Sequence, residues 1–179
     1  RVEKIIETAK ENIGETIIWS DCDVLFTKNP MTIISEYSYW DLCFAYNGPH
    51  YDTPINIGFT IIKCSQKVID FWTMCLSALQ LVFKMHQQKY IRYYNQDVVY
   101  AALIKSIYIK YELLPDTIWN CHRHYFSDVP TPEDPTIIHF TTDGIRYNLD
   151  TAIINTKKKE LMTQIMNEEL RGENLIELL

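Results

Sequence analysis

Apolar residues recur along the chain at two spacings, one typical of helices and the other of strands. Helical spacing and end signals predict helices over Val2–Asn12, Gln66–Lys89 and Gln96–Lys105, a short helical segment over Pro30–Tyr37 and an amphipathic helix from Lys157 onward. Short apolar or β-branched runs bounded by turn formers predict strands over Thr16–Trp19, Asp41–Tyr46, Phe59–Lys63, Ile107–Leu114 and Thr136–Phe140. Because long helices are mixed with strands, we expect an α/β sandwich around a central sheet.

The first predicted strand lies in the apolar run Ile17–Phe26, which Asp21 and Asp23 interrupt. Two uncompensated charges beside a buried strand are costly unless a partner neutralises them, and a divalent cation is a common partner. A D-x-D pair where a strand ends therefore indicates a metal site. The same residues fit an acidic β-turn equally well, so this segment alone leaves both interpretations open.

A second polar cluster is Asn56-Ile57-Gly58, which we interpret as a small turn that leads directly into the strand from Phe59. Glycine permits a close backbone approach, and the Asn56 amide offers both a donor and an acceptor to ligand hydroxyl groups. A plain turn without a ligand is the alternative. Upstream, Asn47 followed by Gly48 and Pro49 predicts another turn.

A third cluster, Asn95-Gln96-Asp97, stands at the start of a predicted helix. Asn95 would be a good N-cap, and Asp97 would interact favourably with the helix dipole. A helix N-terminus can equally present such polar groups to an anionic or hydroxyl-rich ligand. Both interpretations remain open at this stage.

Histidines supply the remaining candidate ligands. His139 ends the strand predicted over Thr136–Phe140, where it becomes a candidate third ligand for a D-x-D metal site. His122 and His124 have the spacing of two ligands from one strand, but the sequence offers them no evident third partner.

Length and composition favour a single folded domain, residues 1–179, with a D-x-D core over about 14–150 and a helical tail over 151–179. The net charge of −6 argues against a nucleic-acid partner, and no apolar stretch approaches the length of a membrane span. The sequence does not decide whether the protein is located in the cytoplasm or in the lumen of the secretory pathway. The five cysteines form no C-x-x-C pair, which favours reduced, buried thiols, and we expect Cys22 to be a packing residue.

Together, the motifs carry a resemblance to a known family. The order Trp-Ser-Asp-Cys-Asp-Val-Leu-Phe, Asn-Ile-Gly-Phe, Asn-Gln-Asp and Ile-Ile-His-Phe extends from Ile17 to Phe140. It resembles the nucleotide-diphospho-sugar transferases of the GT-A fold. The resemblance implies a GT-A-like α/β/α sandwich with a mixed central sheet. It also implies that the β-α-β nucleotide-binding half, which this family places before the D-x-D, is truncated or supplied by another segment.

The resemblance also implies roles for individual residues. Asp21 and Asp23 match the D-x-D, and His139 matches the histidine that completes the shell of a Mn²⁺ or Mg²⁺ ion. Through this ion, Asp21 and Asp23 would also bind the nucleotide donor. Asn56 and Gly58 match a turn that lines the sugar and acceptor pocket.

Two further matches depart from the family pattern. Asn95, Gln96 and Asp97 match a catalytic D-Q-D block, whose glutamine lies near the anomeric carbon in retaining relatives, but Asn95 replaces an Asp. Relatives carry a lysine after the histidine that contacts the diphosphate. Here only Arg146, at a shifted spacing, could take that role.

The activity implied is metal-dependent transfer of a sugar from a nucleotide diphosphate donor, with UDP favoured, to a sugar, protein or glycan acceptor. One alternative is a degenerate GT-A-like domain that binds without catalysis. The other is a haloacid-dehalogenase-type phosphatase, which also uses a D-x-D after a strand. Leu25 is a poor match to that class, because it stands where those enzymes carry Thr or Val.

Overall fold

A computed structural model describes residues 1–32, 34–47, 53–85, 94–119, 121–122 and 136–139. Its helices are α1 (Val2–Glu11), α2 (Gln66–Met85), α3 (Tyr94–Lys105) and α4 (Asp116–Trp119), and 3₁₀ turns cover Pro30–Thr32 and Ile34–Tyr37. Its strands are β1 (Thr16–Ser20), β2 (Val24–Phe26), β3 (Leu42–Tyr46), β4 (Ile55–Lys63), β5 (Tyr111–Leu114), β6 (Cys121–His122) and β7 (Ile137–His139). The predicted tail over 151–179 lies outside the described residues.

The main sheet is mixed, as predicted, with the strand order β1-β4-β3-β5. Strand β4 pairs antiparallel with both β1 and β3, whereas β5 pairs parallel with β3. A smaller sheet has the order β2-β7-β6, in which β2 and β7 are antiparallel. The α/β class with a mixed central sheet is therefore confirmed.

The two faces of the main sheet bury separate apolar clusters. Helices α1, α2 and α3 cover one face, where the Phe44 and Trp72 rings meet edge to face with centroids 6.3 Å apart. On the other face, Phe59 stacks on Trp119 of α4 with centroids 5.5 Å apart, and Ile137 of β7 joins the same cluster. This second cluster fixes the small sheet against the large one. None of the described helices combines the length and apolarity needed to cross a lipid bilayer.

Two strand predictions need correction, and one strand was missed. Residues 107–110 are not part of β5, because Ile109 N–H bonds to the Ser106 carbonyl in a turn that leaves Ile107 99% exposed. The prediction of a strand from Phe59 was too short, since β4 begins at Ile55. The strand predicted over Thr16–Trp19 is β1, and the D-x-D forms a turn after it, but no strand was predicted over Val24–Phe26, which is β2 in the small sheet.

The register between β3 and β4 slips in the middle of the sheet. Phe44 is opposite Thr60, but its neighbour Ala45 is opposite Asn56, so three residues of β4, Ile57–Phe59, have no partner in β3. Such an irregularity leaves backbone groups that other parts of the chain must satisfy. It lies beside the D-x-D turn and shapes the candidate site.

At the other end of the sheet, a buried carboxylate ties three segments together. The Asp41 side chain is 8% exposed, accepts a hydrogen bond from Lys110 N–H at 2.8 Å and lies 2.7 Å from Lys67 Nζ. Buried carboxylates persist when they are paired and hydrogen-bonded in this way. Asp41 therefore fixes the start of β3 to α2 and to the segment before β5.

We expect Asp41→Ala to lower the free energy of unfolding by about 1–3 kcal/mol, because the Lys110 amide loses its side-chain acceptor. The control Asp70→Ala removes an exposed carboxylate of α2 that accepts a hydrogen bond from Gln66 Nε2 at 2.8 Å, and it should change stability by less than about 0.5 kcal/mol. Urea denaturation measures both. Equal effects of the two substitutions would contradict the anchoring role of Asp41.

Candidate metal centre

Strand pairing in the main sheet positions Asp21. In the β1–β4 ladder Ser20 lies opposite Phe59, and the ladder continues one residue further because Asp21 N–H donates to the Gly58 carbonyl at 2.7 Å. Asp21 therefore begins the turn directly beside Gly58. Its side chain is 21% exposed.

The small sheet positions the other two candidate ligands. Asp23 immediately precedes β2, and Val24 in β2 lies directly opposite His139 in β7. As a result His139 Nε2 is 3.4 Å from an Asp23 carboxylate oxygen, and His139 is only 5% exposed. Residues far apart in the sequence are thus joined by one antiparallel pair.

The three predicted ligands form one cluster. One ligand atom from each of Asp21, Asp23 and His139 lies within 4.8 Å of the other two. Two carboxylate oxygens and an imidazole nitrogen are a donor set that suits a divalent cation such as Mn²⁺. The arrangement brings together the residues that the sequence singled out for a metal.

Glycine at position 58 makes this convergence possible. A Cβ placed on Gly58 would lie 2.6 Å from His139 Cε1, 2.7 Å from Asn56 Oδ1 and 3.0 Å from Asp21 Oδ2. Distances below 3 Å between such atoms are sterically forbidden, so any side chain here would force the ligands apart. The need for glycine arises from this close approach, since Gly58 lies in extended strand.

The electrostatic environment of Asp21 favours a positive partner. Burial is the main cause that raises the pKa of Asp21 above its ordinary value, and the nearby Asp23 carboxylate raises it further. Arg1, whose guanidinium lies 2.6 Å from Asp21, and His139 act in the opposite direction without cancelling the shift. The ionised form of Asp21 is therefore costly without a further cation.

The Asn56-Ile57-Gly58 segment is part of β4 and not a turn before a strand, which corrects the sequence interpretation. Because β3 offers no partner here, side chains satisfy the backbone. Gly58 N–H donates to Asn56 Oδ1 at 2.7 Å, and Ile57 N–H donates to Gln96 Oε1 at 3.3 Å. Asn56 is 5% exposed, and its Nδ2 donates to Asn47 Oδ1 at 3.3 Å.

The first turn of α3 braces the same strand. Besides the Gln96 contact, Asp97 accepts a hydrogen bond from the Thr53 hydroxyl, just before β4. Asn95 does not occupy the N-cap position suggested by the sequence, because α3 begins at Tyr94 and includes Asn95 in its first turn. The described contacts of Gln96 and Asp97 are thus structural, and their proposed catalytic roles remain predictions.

Sequence reasoning missed Asn47, Thr53 and Arg1. Asn47 was interpreted only as a turn residue, yet it is 4% exposed and its side chain reaches both Thr53 and Asn56. Its position directly after an apolar strand, where a polar residue would be buried, was the available signal. The proximity of Arg1 to Asp21 had no signal in the local sequence.

Cys22, between the two carboxylates, is exposed, so the expectation that it packs in the interior was wrong. The buried thiols elsewhere agree with the sequence interpretation. Burial raises the pKa of both Cys43 and Cys75 to about 12, which leaves these thiols protonated and unreactive at neutral pH.

Two residues that the sequence singled out, Arg146 and His124, lie outside the described residues. His122 is in β6, where its backbone pairs with His139 in parallel register. Its role as a ligand stays a prediction.

A family model described as nucleotide-diphospho-sugar transferase matches residues 11–146, which is most of the chain and includes the whole candidate centre. No curated protein sequence matches significantly.

Solved structures give the same fold at low sequence identity. A glycosyltransferase involved in the glycosylation of the major capsid of PBCV-1 is 19% identical with a TM-score of 0.57, over 80% of this chain and 70% of that one. The glycosyltransferase GlyE of Streptococcus pneumoniae TIGR4 is 12% identical with a TM-score of 0.50, over 90% of this chain but only 45% of that one. Similarity at this level establishes a shared fold but does not establish a shared substrate.

The steric role of Gly58 can be tested with Gly58→Ala. We expect a loss of about 1–3 kcal/mol in stability from overpacking, together with the loss of any Mn²⁺-induced rise in Tm. The matched control is Gly14→Ala, which strains a backbone φ of 93° but contacts nothing within 4 Å. It should lower Tm while the Mn²⁺-induced rise remains. A full Mn²⁺ response in Gly58→Ala would contradict the steric account.

The raised pKa of Asp21 predicts how stability depends on pH without metal. Folded protein holds the Asp21 proton to higher pH than the unfolded chain, so stability falls as pH rises from 3.8 to the raised value. At pH 7 in EDTA, Asp21→Asn should therefore be more stable than the wild type by urea denaturation, and the difference should vanish at acid pH. The control Asp70→Asn should show no such pattern. A less stable Asp21→Asn at pH 7 would refute this assignment.

Proposed function

The chain belongs to the nucleotide-diphospho-sugar transferase family, and on that premise we propose that its transfer reaction depends on a divalent cation held by Asp21, Asp23 and His139. The observation that carries the proposal is the convergence of these three side chains within 4.8 Å. The donor nucleotide we propose is UDP, and the acceptor is a sugar, a protein or a glycan. Asp21 and Asp23 would bind the donor through the cation.

The residues present fit such a cation. Carboxylate oxygens are the ligands preferred by Mg²⁺ and Mn²⁺, while one imidazole shifts the preference toward Mn²⁺. The lack of a side chain at Gly58 allows His139 and Asp21 to approach each other closely. When bound, the cation would neutralise negative charge that develops on the departing nucleotide diphosphate.

The protein's own groups have separate tasks in this proposal. Arg1, beside Asp21, adds a fixed positive charge that can attract the diphosphate. Asn56 accepts a hydrogen bond from the Gly58 N–H and so holds the Gly58 backbone beside Asp21. Gln96 and Asp97 hold β4 from α3 and remain our candidates, with Asn95, for contact with the donor sugar. Arg146 remains a candidate for the diphosphate.

Calorimetry with UDP and Mn²⁺ tests the proposal. The wild type should bind UDP only when Mn²⁺ is present. Asp23→Ala should weaken that binding by at least about tenfold, which corresponds to a loss of about 1.4 kcal/mol of binding free energy. The control Asp70→Ala, an exposed carboxylate on α2, should bind as the wild type does.

The other outcomes separate the alternatives. UDP binding that is equal with Mn²⁺ and with EDTA would refute the cation dependence. Mn²⁺-dependent UDP binding without hydrolysis or transfer from any UDP-sugar would favour a domain that binds the donor without catalysis. A phosphatase would instead trap an aspartyl-phosphate analogue on Asp21, but the family match extends across the D-x-D and favours the transferase.

A further inference from the structure

Three buried polar residues lie in a row beside the candidate metal centre. Asn47, Thr53 and Asn56 are 4%, 7% and 5% exposed. Buried amides are costly unless both ends are hydrogen-bonded. Here Asn47 Nδ2 donates to the Thr53 carbonyl at 3.1 Å, and Asn56 Nδ2 donates to Asn47 Oδ1 at 3.3 Å. The row ends where Gly58 N–H donates to Asn56 Oδ1 at 2.7 Å.

The chemistry of the two ends fixes the direction of every bond in this row, which we call the amide relay (Asn47, Asn56 and Gly58). The Thr53 carbonyl can only accept, so Asn47 must present its NH₂ group there and its oxygen toward Asn56. Asn56 must then turn its NH₂ group to Asn47 and its oxygen to the Gly58 N–H. If the amide of either asparagine were reversed, two donors or two acceptors would face each other.

The relay ends at Gly58, where neighbouring side chains leave no room for a Cβ. Gly58 N–H is held by the relay while its carbonyl accepts from Asp21 N–H at 2.7 Å. The space around its Cα is bounded by His139 and Asp21 on the side where a side chain would be. A rotation of the Gly58 backbone would therefore change the separation of the candidate ligands.

We propose that Asn47 is a positioning residue of the metal centre, which acts through Asn56 and Gly58 to set the affinity for the cation. This inference rests on the metal centre of the proposed function. Asn47 touches none of the three ligands in the contacts described, so its effect must pass along the amide relay. Residues outside the first ligand shell commonly control metal affinity in this manner.

One backbone hydrogen bond at this place is independent of the Asn47 side chain. Asn47 N–H donates to the Pro54 carbonyl at 2.8 Å. A substitution at Asn47 therefore removes the side-chain hydrogen bonds of the relay but not this backbone bond. Leucine has a similar volume but neither donor nor acceptor.

The test is a Mn²⁺ titration of the full chain followed by the EPR signal of free Mn²⁺. We expect Asn47→Leu to weaken Mn²⁺ binding by about 10- to 100-fold. The matched control is Asn12→Leu, which removes a remote amide that donates to the Thr8 carbonyl at 2.8 Å. It should leave Mn²⁺ affinity unchanged.

A double-mutant cycle tests whether Asn47 acts through Asn56. If it does, the pair Asn47→Leu with Asn56→Leu should bind Mn²⁺ no more weakly than Asn56→Leu alone. Asn47→Ser keeps one hydroxyl that can donate and accept, so it should recover part of the affinity that Asn47→Ala loses. This second comparison also serves if the leucine variant does not fold.

The outcomes distinguish failure of the amide relay from failure of the metal centre. A wild type that binds no Mn²⁺ would overturn the metal centre and the role of Asn47 with it. A wild type that binds Mn²⁺ beside an Asn47→Leu variant of equal affinity would overturn the relay alone. Fully additive losses in the cycle would also overturn it, because Asn47 would then act independently of Asn56.

Discussion

The candidate centre depends on one irregularity in the main sheet, the slip in register between β3 and β4. Between Asn56 and Thr60 the β4 backbone has no partner in β3. The Asn56 and Gln96 side chains supply the missing hydrogen bonds to Gly58 and Ile57. On the β3 side, side chains hold this segment in place of a strand, while on the other side Gly58 accepts a hydrogen bond from Asp21 N–H at the D-x-D turn.

Electrostatics gives the second constraint. The fold brings two carboxylates and a buried histidine together, and burial raises the pKa of Asp21 and makes its ionised form costly. Arg1 relieves this cost only in part. A cluster that is unfavourable for the isolated protein and complementary to a divalent cation fits a functional centre better than a structural one. The neutral amides of Asn47 and Asn56 support it without adding charge.

Sequence reasoning identified the candidate metal ligands and most elements, because these depend on local patterns and on the order of motifs. It gave Asp21, Asp23 and His139, which the two sheets bring together. It misassigned Asn56 to a turn, because the slip that places it in β4 is a property of strand pairing. It also missed Asn47, whose partners Thr53 and Asn56 are brought to it only by the folded structure. Contacts that depend on tertiary register leave no periodic signal.

We propose that Asp21, Asp23 and His139 hold one divalent cation. The most direct measurement is anomalous diffraction from crystals of the protein grown with Mn²⁺ and UDP, recorded on both sides of the manganese absorption edge. We expect one strong anomalous peak within coordination distance of all three side chains, at about 2.0–2.3 Å from their ligand atoms. A manganese peak elsewhere, with the three side chains making no contact to it, would refute this metal site.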